Sequence, residues 1–295
     1  MLSILIPIYN YNVFPLVLEL HKQCVDCGIA FEILGQDDVS NQFLDENLKI
    51  ISVENCRFSI NNSNLGRGKN INLLAEKSKY DYLLIMDCDT LPTQNNFIQK
   101  YIEQINQLEK LVFGGISYQK EKPDHKQLLR WVYGKARESL SVEKRNANPN
   151  GSALTSNLLI QKNIFFSSPF DKFITKYGYE DLVFLSDLKK KEIIVKHIDN
   201  PTYHLGLETS QQFLDKTKIA LENLKLIANS TAIIKSASKI LKSYEFLKKV
   251  HLIGFISFLF TIGKRKIEEN LLSQTPSLFL FDLYKLGYFC KLNTI

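Results

Sequence analysis

The chain has 295 residues, 45% hydrophobic and 23% charged, the balance of a folded globular protein and not of a disordered or fibrous one. That length buries one large core or two modest ones, so one enzyme-sized domain with an appendage is expected. Of 37 basic and 31 acidic residues, ten and four lie from Lys235 onward, leaving 27 of each before it. A neutral main body argues against nucleic-acid binding, while the basic tail suits an anionic surface.

In chain order, Leu2–Ile8 is a short apolar run, expected as a strand buried on both faces and not as a secretory signal, since it lacks a basic leader. Residues 13–27 place Val13, Leu16, Val17 and Leu20 at helical spacing. Residues 31–34 read as a second strand, 36–40 (Gln-Asp-Asp-Val-Ser) as a polar turn, and 49–53 as a third strand. A helix over 66–76 opens at a glycine-bearing turn, and a fourth strand, Tyr82–Met86, breaks at Asp87-Cys88-Asp89. Residues 97–108 are helical and 111–116 strand-like, with Gly114-Gly115 read as a turn or as part of a ligand pocket. An amphipathic helix over 128–140 carries Trp131, either docked on the core or stacking on a ligand. Strand character returns at 156–160, a helix spans 179–190, a strand 193–198, a loop 201–204 and a helix 209–228.

Short strands alternating with helices predict an α/β domain with a mainly parallel sheet. Ligands of such sheets bind beyond the carboxyl ends of the strands, which singles out Pro7, Tyr9, Asp37, Asp38, residues 64–67, Asp87 and Asp89. Two carboxylates one residue apart at the end of an apolar strand offer hard oxygen ligands to a divalent cation bridging phosphates. Glu180-Asp181 open a helix, where they either complement its dipole or take a proton from an attacking hydroxyl. His204 is either structural or an imidazole ligand beside the carboxylates. The five cysteines, Cys24 and Cys27 included, form no disulfide framework and fit a reducing, cytoplasmic setting.

Ile6-Pro7-Ile8-Tyr9-Asn10, Asp37-Asp38-Val39-Ser40, Asn64-Leu65-Gly66-Arg67-Gly68-Lys69-Asn70-Ile71-Asn72, Asp87-Cys88-Asp89, Gly178-Tyr179-Glu180-Asp181 and His204, in that order, resemble glycosyltransferase family 2. The segment from Arg67 to Asn72 and the Glu-Asp pair look most like its β-1,4-galactosyltransferase and chondroitin-polymerase branch. The resemblance implies the GT-A nucleotide-sugar transferase fold over residues 1–230 and an inverting transfer of a hexose or N-acetylhexosamine from a UDP-sugar. It implies that Pro7 and Tyr9 line a uridine pocket and that Asp38 accepts from the uracil. Arg67 and Lys69 would lie near the diphosphate, and Asp87 on the ribose side. Asp89 and His204 would ligate Mn2+ or Mg2+, Glu180 would hold the acceptor, and Asp181 would be the general base. The acceptor would be a saccharide or lipid-linked saccharide in surface polysaccharide or glycolipid synthesis. Val39 stands where glycine is commoner, so the turn there is expected to run differently.

Residues 235–295 read as a basic, aromatic helical region, with Lys235, Lys239 and Lys242 at helical spacing. It either packs on the main domain or a second subunit, or holds the protein peripherally on the inner face of the cell membrane. Two other readings stand: a non-catalytic GT-A-fold sugar-binding subunit, and a haloacid-dehalogenase-like phosphatase, whose Asp-x-Asp pattern differs at Leu91.

Overall fold

A computed structural model describes residues 1–174, 177–230 and 237–294; Lys235 lies outside the described residues. Seven strands form the main sheet in the order β3 (Cys56–Ile60), β2 (Phe31–Asp37), β1 (Leu2–Ile8), β4 (Tyr82–Met86), β8 (Asn157–Gln161), β6 (Leu111–Phe113) and β9 (Lys196–His197). The first four are mutually parallel, β8 runs antiparallel to both β4 and β6, and β9 is parallel to β6. A small second sheet, β5 (Thr90–Pro92), β10 (Thr202–His204) and β7 (Ile116–Ser117), has β10 in its centre.

The continuous apolar runs follow from helices on both faces. Leu2, Ile4, Ile6 and Ile8 face α1 (Phe14–Asp26) and α4 (Phe97–Asn106), while Leu5, Leu83 and Ile85 face α3 (Arg67–Lys77) and α8 (Glu180–Lys190). All seven β1 side chains are buried, and each large apolar one contributes about 1.5–3 kcal/mol.

Three expectations are corrected. Residues 49–53 are not a strand: Lys49–Ser52 is a 3-10 turn, and the third strand is Cys56–Ile60. Ile50 alone of that run is fully buried, Val53 packs partly against the same core, and Ile51 is exposed. Gln36 and Asp37 belong to β2 and not to a turn, because they pair with Ser59 and Ile60. The expected loop at 201–204 contains β10, paired antiparallel with β5 and parallel with β7.

In the turn after β2, Val39 adopts φ +64°, a left-handed conformation that a β-branched residue rarely takes. Gly114 and Gly115 are fixed by close approach. A Cβ on Gly114 would meet the Asn200 carbonyl at 2.3 Å, and Gly115 holds φ +107° beneath the Arg145 guanidinium.

The C-terminal helices are α9 (Ser210–Ser230), α10 (Lys239–Lys249), α11 (Ile253–Leu271) and α12 (Leu278–Leu292), with α2 (Leu44–Leu48), α5 (Leu128–Arg137), α6 (Val142–Asn146) and α7 (Lys162–Ser167) preceding them in the chain. Leu221, Leu224 and Ile227 of α9 pack on Val183 of α8 together with Phe289. Leu214 packs on Leu129 of α5 together with Phe260, Phe281 and Tyr284. Gly287 lets α12 close on Phe260, which a Cβ would meet at 2.6 Å.

Candidate active site

The carboxyl ends of β1, β2 and β4 open into a cleft of about 740 Å³. Pro7, Tyr9, Asp38, Arg67, Asp87, Asp89, Glu180, Asp181 and His204 all line it. Lys69 is not among the lining residues, whereas its neighbours Arg67, Gly68 and Asn70 are.

Tyr9 stands exposed at the rim. Its loop is tied to the next one by Asn10 N–H donating to Ser40 Oγ (2.8 Å) and Asn41 N–H donating to Asn10 Oδ1 (2.9 Å). Asp38 is buried and organises the turn into α3. Its Oδ1 accepts from Asn61 Nδ2 (2.7 Å) and Leu65 N–H (2.9 Å), and its Oδ2 from Gly66 N–H (2.8 Å).

Arg67, at the first turn of α3, is a clamp. Its Nε and Nη2 donate to Asp87 Oδ1 at 2.8 and 2.5 Å, and its Nη1 donates to Asp181 Oδ1 (3.0 Å) and Thr155 Oγ1 (2.8 Å). Burial by itself would lower its pKa, but Asp87, Asp181 and Glu180 outweigh that and push it up, so the guanidinium stays charged.

Asp89 and His204 come together. His204 Nε2 lies 3.3 Å from Asp89 Oδ2, because β10 pairs with β5 so that His204 faces Thr90, and Leu205 N–H donates to the Asp89 carbonyl at 2.8 Å. Gly206 permits the approach, since a Cβ there would fall 2.3 Å from Asp89 Oδ2. Asn157 anchors the connection that precedes β10, its Nδ2 donating to the carbonyls of Gly115 (3.0 Å) and Asn200 (2.9 Å). Burial, then Arg130, push the His204 pKa down to about 4, which leaves a neutral, ligand-ready imidazole. Among the described residues no group of three or more His, Cys, Asp or Glu side chains suited to a metal is present. Two adjacent protein ligands, one carboxylate and one imidazole, fit a cation that takes its other ligands from a bound diphosphate and water.

The acidic pair at the start of α8 is set by a left-handed turn at Gly178 (φ +96°) and Tyr179 (φ +68°). Asp181 is fully engaged: Oδ1 accepts from Arg67 and from Thr155 Oγ1 (2.5 Å), and Oδ2 from Thr155 N–H (3.1 Å). Glu180 is different. Its Oε2 is buried without a partner among the described residues, and burial followed by Asp181 raises its pKa above the usual carboxylate range.

The sequence reading missed a second group on the opposite wall. Arg130 of α5 and Lys216 of α9 both line the cleft. Arg130 pairs with Glu138 (3.1 Å) and Lys216 with Glu208 (2.6 Å), and the Tyr118 ring stacks on His204 at 5.5 Å while its hydroxyl donates to Glu138. The amphipathic helix drew attention to Trp131, which does not line the cleft; its indole N–H donates to the Gln119 carbonyl at 3.0 Å and Lys135 lies over its ring. Arg130, one residue earlier, lines the cleft. Helical phase relative to the buried Leu128 and Leu129 was the available signal.

Residues 3–181 match the family described as Glycosyl transferase family 2. No curated protein matches the chain in sequence. Among solved structures, the mannosyltransferase PcManGT from Pyrobaculum calidifontis, in complex with GDP-Man and Mn2+, is similar over 98% of this chain and 84% of its own, with TM-score 0.61 and 9% identity. TarS from S. aureus is similar over 75% of this chain with TM-score 0.50 and 14% identity, and the present chain spans 39% of its length. These likenesses show the fold, a GT-A-like α/β fold with a helical C-terminal region. With the match running from β1 to Asp181 through the strand ends that build the cleft, the chain belongs to glycosyltransferase family 2.

Proposed function

We propose that the chain is an inverting, metal-dependent glycosyltransferase of the β-1,4-galactosyltransferase and chondroitin-polymerase type. It would move a hexose or N-acetylhexosamine from a UDP-sugar to a hydroxyl of a saccharide or lipid-linked saccharide, with residues 1–230 as its catalytic domain. The observation that carries this reading is the 3.3 Å approach of Asp89 and His204 in a cleft at the sheet's carboxyl edge.

Pro7 and Tyr9 supply an apolar, aromatic wall for the base, and Asp38 Oδ2, with one donor already bound, keeps acceptor capacity for a uracil N3–H. Asp87 is held by Arg67 at the ribose side. Asp89 and His204 would hold Mn2+ or Mg2+, which supplies electrostatic stabilisation of the diphosphate leaving group. The cations lining the cleft are Arg67, held by Asp87 and Asp181, Arg130, held by Glu138, and Lys216, held by Glu208, and these three would compensate the departing charge. The resemblance gives the base role to Asp181. Hydrogen bonding favours Glu180 instead, because its Oε2 is the oxygen with no donor. Glu180 then takes the proton of the acceptor hydroxyl as the hydroxyl oxygen bonds to the anomeric carbon, while the bond from that carbon to the diphosphate oxygen breaks on the opposite face and UDP leaves with the electron pair. Asp181 positions Arg67 and Thr155.

The test is release of nucleotide from a panel of UDP-sugars and GDP-mannose with Mn2+ and saccharide acceptors, with the product anomer read by NMR. UDP release with inversion is expected. GDP release from GDP-mannose would overturn the donor base and keep the family. Donor binding without any turnover would favour a sugar-binding subunit, and phosphate release from a phosphomonoester would favour the phosphatase.

A further inference from the structure

Helix α11 packs through one side only. Ser257, Phe260 and Leu271 are buried against its neighbours, and Gly287 of α12 sits directly beneath Phe260. Its opposite side carries Phe255, Phe258, Leu259 and Ile262, with 56%, 61%, 48% and 66% of their surfaces exposed. Gly254 on the same side has open space around it. The i, i+3, i+4, i+7 spacing of the four makes one continuous apolar stripe over about two turns. Leu252 and Phe246, also exposed, lie just before it.

Charge brackets the stripe. Lys248 and Lys249 end α10 ahead of it, and Lys264, Arg265 and Lys266 follow it. Arg265 is exposed and paired with Glu269 at 2.9 Å. Four exposed large apolar side chains flanked by lysines at both ends are costly in water.

From this arrangement we propose that the exposed face of α11 docks on the surface of an anionic lipid bilayer, lying in the plane of its headgroups. Its apolar stripe enters the acyl boundary while Lys248, Lys249, Arg265 and Lys266 meet the lipid phosphates. A spanning arrangement does not fit. Among the described residues no single helix is long and apolar enough to cross a membrane. The pair α10 and α11 reaches the required length only across a 119° bend, which would put Lys248 and Lys249 within the hydrocarbon. A second copy of the chain fits poorly as well. In a two-fold pairing of antiparallel α11 helices, each Lys248-Lys249 end would face the Arg265-Lys266 end of the other copy, setting like charges together at both ends.

The experiment is flotation of the full chain with vesicles of phosphatidylcholine, with and without phosphatidylglycerol, alongside its mass in solution. Wild type is expected to float with the anionic vesicles, and to stay behind with phosphatidylcholine alone or at high salt. Phe258→Ser and Ile262→Ser, both on exposed positions, should each weaken partitioning by about tenfold, with far-UV circular dichroism and melting temperature preserved. Wild type that fails to float, or a Phe258→Ser/Ile262→Ser double variant that floats undiminished, would overturn the proposal. So would a wild-type dimer that the double variant splits into monomers, which would assign the face to a second copy. Nucleotide-sugar turnover in the absence of vesicles should be equal in wild type and double variant, so the outcome is independent of the catalytic reading.

Discussion

His204 Nε2 lies 3.3 Å from Oδ2 of Asp89, and the pairing of β10 with β5 is what sets that distance. Two side chains far apart in the sequence thus present a neutral imidazole nitrogen and a carboxylate oxygen to one point in the cleft. Removing either should be felt first in donor binding. Asp89→Asn and His204→Ala are each expected to lower transfer by about 10²-fold. In a readout free of turnover, the thermal stabilisation that wild type gains from UDP with Mn2+ should vanish in both variants. Full transfer in the presence of a strong chelator would remove the metal from the reading.

Glu180 gives a pH prediction with a defined sign. Burial and the neighbouring Asp181 hold its carboxyl above the usual range in the folded chain, so the folded state binds that proton more tightly than the unfolded one. Ionisation therefore opposes folding as pH rises past the ordinary glutamate value. Glu180→Gln should raise the melting temperature at about pH 8, and the gain should shrink toward zero below about pH 4. The same substitution should cost on the order of 10²–10⁴-fold in transfer, and the acid limb of the wild-type rate profile should lie above the ordinary carboxylate range. Transfer retained by Glu180→Gln would return the base role to Asp181.

Arg67 is expected to matter for stability as well as rate. Its fork joins Asp87 to Asp181 and Thr155, and a lysine offers a point charge that cannot reproduce those directions. Arg67→Met leaves two neighbouring carboxylates without their shared cation, at an expected cost of about 3 kcal/mol. Urea unfolding measures it. A midpoint equal to wild type would show that the clamp contributes nothing.

Val39 occupies a left-handed position at φ +64° with 44% of its surface exposed. Its side chain contributes little packing and strains the backbone, so Val39→Gly is expected to stabilise the fold by about 1 kcal/mol, as read from the denaturation midpoint. A loss of stability would mean that the isopropyl group packs more than its exposure suggests.

The sequence by itself determined which segments are buried and on how many faces. Leu2–Ile8 and Tyr82–Met86 are continuous apolar runs because helices cover both sides of the sheet, and a strand of that kind can end in Asp87-Cys88-Asp89 only at the sheet's edge. Local periodicity failed where tertiary contacts decide. The apolar run at 49–53 fully buries only Ile50, whereas the edge strand Cys56–Ile60 buries only Cys56 and leaves Ile60 exposed, and owes its place to pairing with β2. Nothing in the spacing told which carboxylate Arg67 would hold, or that Arg130 and Lys216 would arrive from α5 and α9 to complete the cleft. Such contacts join residues far apart in the chain. They depend on strand pairing and helix packing that close only when the whole core is assembled, so the side-chain pattern of one segment specifies its buried face but not the partner that face will meet.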